Sequence, residues 1–82
     1  MAFEKIMNIN DLREKCSETD DMIEGFIHFG IAKSSKRITY DENQAIWYVY
    51  NEIDDSEEEF TEQEFKHSTT ASAIRKGAFF LY

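Results

Sequence analysis

The sequence predicts an α+β fold: a small antiparallel sheet, made of a central hairpin plus a C-terminal strand, packed with two N-terminal and one or two C-terminal short helices. Three observations lead there. Residues 45–53 form an aromatic, β-branched run that suits a pleated, half-buried surface. Thr61 followed by Glu64 has the spacing of a capping box, which opens a helix. The last five residues, 78–82, are too apolar for a free tail and read as a strand returning to the sheet. The 82 residues make a single domain, 1–82. A chain of this size buries roughly 60–65% of its unfolded surface, enough for one modest core and no enclosed cofactor cavity.

The first helix is expected from Asn8 or Asn10 to about Cys16, with Ile9, Leu12 and Cys16 turned inward. Ser17 or Thr19 can cap a second helix, because Asp20 and Asp21 then sit at the positive end of its dipole. Met22, Ile23, Phe26, Ile27 and Phe29 give that helix an apolar face, and Gly30 falls where a left-handed terminating residue is expected. Gly25 weakens the pattern, and a strand over 26–31 is the alternative. Residues 33–37 read as a polar, basic connection, 38–40 as a short strand and 41–44 as a turn. In the strand over 45–53, Trp47, Val49 and Ile53 share one face, while Ile46, Tyr48 and Tyr50 share the other. Both faces are partly apolar, as in a central strand or one that offers a face to a partner. A turn at 54–59 leads to a third short strand ending near Phe60. The capped helix containing Phe65 follows, then a last helix over about 70–76, capped by Ser68 or Thr69 and closed by Gly77.

Charge is divided unevenly along the chain. The net charge is −8, yet residues 31–40 and 65–82 each sum to +3. Between Asp41 and Glu64 there are ten carboxylates and no Lys or Arg, wrapped around the aromatic strand. An overall negative charge repels nucleic-acid backbones and anionic membranes, so the acidic face favours a basic protein surface instead. Direct nucleic-acid binding and membrane binding are not expected.

Catalytic and metal chemistry find little support. His28 and His67 are the chain's imidazoles, and neither has the neighbours of a triad. Cys16 precludes an internal disulfide, suits a reducing compartment, and has the spacing of an inert core thiol rather than a nucleophile. Asp54, Asp55 and Glu57–Glu59 lack the ligand spacing and glycine of a calcium loop. No zinc constellation exists, and no cofactor is implied. Residues 33–37 can be read as an anion cradle, but without the glycines of a phosphate loop a solvated basic loop is the simpler reading. No apolar run approaches the ~20 residues that span a bilayer, and the N-terminal residues lack a signal-peptide pattern. A soluble cytoplasmic protein is expected.

The acidic run has two readings. It can serve solubility and blunt sheet edges. Alternatively Asp41, Glu42, Asp54, Asp55, Glu57, Glu58 and Glu59 form a compact anionic patch at the ends of one hairpin, flanked by Tyr48 and Tyr50. Such a patch, acting as a nucleic-acid mimic, would engage a basic groove on another protein, with the tyrosines as desolvated anchors.

Three stretches, Ser34-Ser-Lys-Arg-Ile-Thr-Tyr-Asp41, Asn51-Glu-Ile-Asp-Asp-Ser56 and Ala73-Ile-Arg-Lys-Gly-Ala78, resemble in style the small accessory proteins of tailed bacteriophages. Together they span under a third of the chain. The resemblance implies a class of proteins that bind and inhibit or redirect a host factor, including anti-restriction and anti-CRISPR inhibitors. It implies a non-enzymatic partner-binding role against a host or defence protein, in the host cytoplasm. A second expectation of a different class is self-association, with Tyr48, Tyr50, Phe79, Phe80 and Tyr82 forming a homodimer surface and the acids serving solubility alone.

Overall fold

A computed structural model describes residues 3–82. They form β1 (Glu4–Lys5), α1 (Ile9–Ser17), β2 (Ile23–Phe29), β3 (Ala32–Asp41), β4 (Ile46–Asn51), β5 (Ser56–Thr61), α2 (Glu62–Phe65), α3 (Thr69–Arg75) and β6 (Phe79–Leu81). The strands make one sheet in the order β1-β6-β2-β3-β4-β5, and every neighbouring pair is antiparallel. The α+β class holds, with a larger sheet and a different helix count than the sequence predicts: one N-terminal helix and two C-terminal ones.

Each helix begins as its sequence dictates. The Asn8 side chain accepts from the Asp11 amide at 2.8 Å and caps α1, which buries Leu12 and Cys16. Thr61 and Glu64 complete the capping box of α2: the Glu64 amide donates to Thr61 Oγ1 at 3.2 Å and the Thr61 amide to Glu64 Oε1 at 2.9 Å. Ser68 caps α3 by accepting from the Ala71 amide at 3.1 Å. Gly77 then turns the chain with φ of 70°, a conformation that costs glycine little.

The predicted second helix is instead β2. Its residues 25–27 are all buried, Ile27 against the helices and Phe26 beneath aromatic side chains on the opposite face. A strand covered on both sides shows no apolar–polar alternation, and so its run mimics a helical face. Gly25 is required by β6: a Cβ there would lie 2.8 Å from both Phe79 Cζ and the Phe80 carbonyl oxygen. Gly30 does not end a helix. It takes φ of 58° in the two-residue turn between Phe29 and Ala32, as the first central position of a II′ hairpin requires. The basic connection over 33–37 is likewise a strand, the N-terminal half of the ten-residue β3. Its alternate residues Ser34 and Lys36 lie on the helix side of the sheet, beyond the apolar core. Ile53 does not continue the strand either; it is exposed in the β4–β5 turn.

All three helices pack on one face of the sheet. Leu12, Cys16, Phe65, Ala73 and Ile74 meet Ile27, Ile38, Trp47, Val49, Phe79 and Leu81 in one cluster. At its centre Trp47 stacks on Phe65 with centroids 4.2 Å apart, and Tyr40 leans on Trp47 at 4.6 Å. Phe79, expected on a dimer surface, is fully buried here because it pairs with Ile27 and faces the helices.

Candidate functional site: the helix-free face of the sheet

Residues opposite each other in an antiparallel pair point to the same face, so the register sorts the second face unambiguously. On β4 it carries Tyr48 and Tyr50. Tyr48 is paired with Thr39 on β3 and Glu59 on β5; Tyr50 is paired with Arg37 and Glu57. Both tyrosines are half-buried, and both glutamates are exposed. Asp41 lies on the same face at the far end of β3, opposite Ile46.

Of the nine candidate residues, five therefore share one surface: Asp41, Tyr48, Tyr50, Glu57 and Glu59. The remaining four do not join it. Glu58 points to the helix side beside Val49, where Asn51 Nδ2 donates to its Oε1 at 2.8 Å. Glu42 is in the β3–β4 turn, and Asp54 and Asp55 are in the β4–β5 turn at the opposite end of β4. Six residues of strand hold those turns about 20 Å apart. The acids thus line an edge and both ends of a hairpin rather than one compact spot.

Several carboxylates have local structural duties. Asp41 Oδ1 accepts from the Asn43 and Gln44 amides at 2.9 and 3.3 Å and shapes its turn. Asp54 Oδ1 accepts from Ser56 Oγ at 2.7 Å and from the Ser56 amide at 3.3 Å, and the Ser56 hydroxyl holds its pKa below the ordinary value. Asp55 adopts φ of 59°, a left-handed position that Asp tolerates. By contrast Glu57 and Glu59 take part in no ion pair among the described residues.

Sequence reasoning did not find the other half of this face. Arg37 stands at the seam, its Nε 2.7 Å from Glu52 and 3.3 Å from Glu24. Beyond it, Phe26 is enclosed by Phe3, Phe80 and Tyr82 at centroid distances of 5.0–5.5 Å. Lys33 Nζ lies over the rings of Phe26 and Tyr82 at 4.6 and 4.8 Å, and with Ser35 it lowers the Tyr82 pKa. Reading 23–29 as a strand would have put Phe26 and His28 on this face together.

Elsewhere the reactive groups are quiet. Burial pushes the Cys16 thiol up to about 12, far from a thiolate at neutral pH. Burial also lowers the pKa of Lys36, whose Nζ donates to Asn51 Oδ1 with Glu58 and Asp54 nearby. Among the described residues, no group of three or more His, Cys, Asp or Glu side chains is arranged to hold a metal ion. No described helix is long and apolar enough to cross a membrane. Comparison with family models, curated proteins and solved structures finds no match to this chain.

Proposed function

We propose that the chain is a non-enzymatic protein-binding module that engages a basic surface of a partner through the β4–β5 half of its helix-free face. The supporting observation is the pairing of Tyr48 with Glu59 and Tyr50 with Glu57: two half-buried tyrosines beside two carboxylates that have no ion-pair partner among the described residues. Tyrosines supply desolvated contact area, and unpaired edge carboxylates supply steering and register. A surface of this sign competes with polyanions for a basic groove. The chain would act as an inhibitor of a protein that handles nucleic acid, and the resemblance to phage accessory proteins suggests a host or defence protein as the target.

Capture of a partner from bacterial lysate, followed by titration calorimetry with Glu57→Lys/Glu59→Lys and Tyr48→Ala/Tyr50→Ala chains, tests the proposal. Each pair of substitutions should weaken binding by about tenfold or more, and charge reversal should also flatten its salt dependence. A partner held with undiminished affinity by both variants would overturn it. The homodimer alternative keeps Phe80 and Tyr82 but loses Phe79 to the core; a chain that sediments as a monomer at micromolar concentration sinks that alternative.

A further inference from the structure

We propose that the tip of the β2–β3 hairpin is a finger that touches bilayer surfaces carrying anionic lipid headgroups. The hairpin outruns its sheet on both sides. Its β6 partner begins at Phe79, opposite Ile27, and its β4 partner ends at Asn51, opposite Lys36. Residues 29–34 therefore pair only within the β2–β3 hairpin, with no third strand beside them. Within that free segment two large apolar side chains face solvent: Phe29 is 47% exposed and Ile31 is 104% exposed. Two large apolar side chains two positions apart, at a turn with no third strand beside it, form a small exposed apolar tip.

Charge around the finger narrows the explanation. Lys76 Nζ lies 5.7 Å from the centre of the Phe29 ring, and Lys33 follows the turn directly with its ammonium folded back over the Phe26 and Tyr82 rings. Lys5 reaches the same root, its Nζ 3.0 Å from where a Cβ on Gly77 would be. None of these three lysines has an ion-pair partner among the described residues, although acids outnumber bases by 17 to 9 in the chain. Apolar groups at the tip with unpaired ammonium groups behind them complement a surface that is negative at its headgroups and apolar just below.

The acids of the β4–β5 turn begin at Glu52, whose amide donates to the Ser35 carbonyl at 3.2 Å, three residues of β3 before Ala32. Phe29 and Ile31 lie beyond those acids, with the Lys76 ammonium beside the Phe29 ring, and make the contact. A protein pocket is the poorer fit, because a six-residue finger falls well short of the roughly 20–30 residues a side of a standard interface. A lipid surface demands no such complementarity.

Co-sedimentation with vesicles of phosphatidylcholine and phosphatidylserine, against phosphatidylcholine alone, tests the inference. Native protein should bind the mixed vesicles better and release as salt rises. Ile31→Asp, at a position that contacts no core, should lower partitioning by about tenfold or more. Lys33→Gln/Lys76→Gln should remove the preference for phosphatidylserine. Glu57→Lys/Glu59→Lys should bind vesicles at least as well as native protein, which separates this result from that of the acidic face. No association with mixed vesicles, or association unchanged by Ile31→Asp, would overturn the inference. Loss of a captured protein partner by Ile31→Asp without vesicle binding would assign the finger to a protein pocket instead.

Discussion

Glu62 joins α1, β4 and α2 through one carboxylate. Arg13 Nη2 donates to both of its oxygens, at 2.9 and 2.7 Å, and Trp47 Nε1 donates to Oε1 at 3.3 Å. The Arg13 guanidinium also lies over the rings of Tyr40 and Trp47, at 5.3 and 5.6 Å. Burial opposes ionisation of Glu62, but Tyr40, Arg13 and Trp47 together outweigh it and hold the carboxyl below its ordinary value. A depressed folded-state pKa contributes stability above the unfolded pKa, and that contribution is lost as pH falls through the folded value. Glu62→Gln is therefore expected to cost about 1–2 kcal/mol at neutral pH, the lower end reflecting partial exposure of the pair. The gap from the native chain should close as pH drops through the carboxylate range. Urea denaturation of both chains across that range measures it, and a gap independent of pH would show that shape rather than charge matters here.

β5 is an edge strand whose three central residues are Glu57, Glu58 and Glu59. Its outer row of backbone groups has no neighbour in the sheet, and charge on such an edge discourages pairing with a second copy. Replacing all three glutamates with threonine keeps β propensity and removes that deterrent. The variant should sediment as larger species than the native chain at equal concentration; identical sedimentation would free these acids from any edge-protecting role. Of this element only the end near Phe60 was legible, because the charged residues 56–59 read as part of a turn; α1, β4, the capped α2, α3 and β6 were legible because each carries a local signal: a cap, a turn residue or a β-branched run. Three elements were hidden for physical reasons. β2 is apolar on both faces, so its periodicity imitates a helix until Gly25 is recognised as a site of close backbone approach. The first half of β3 is polar on both faces, because there the sheet extends past the helices. β1 is too short to have a pattern. The candidate site was half legible for the same reason: Tyr48, Tyr50 and the β5 acids came from β4 and β5, whereas Arg37, Phe26 and Lys33 came from strands read as a loop or a helix.

Strand order makes the whole molecule depend on its last strand. β6 enters between β1 and β2, so the sheet's first hydrogen-bonded neighbour of β2 on that side is supplied from the other end of the chain. Phe79 is fully buried and Leu81 is 7% exposed, both within the cluster that the helices cover. Removing one buried Phe or Leu side chain typically costs about 2–5 kcal/mol, and removing residues 79–82 takes both together with the pairing of β1 and β2. A domain of this size has only about 5–15 kcal/mol of net stability. A chain ending at Ala78 is therefore expected to be unfolded in water. Far-ultraviolet circular dichroism and the dispersion of amide proton resonances would report it. A folded truncated chain would show instead that the β2–β5 meander and its helices form an independent core. In that case the acidic face on β4–β5 would survive without β6, while the finger at 29–34 would lose the strand neighbour at its base, Phe79 opposite Ile27.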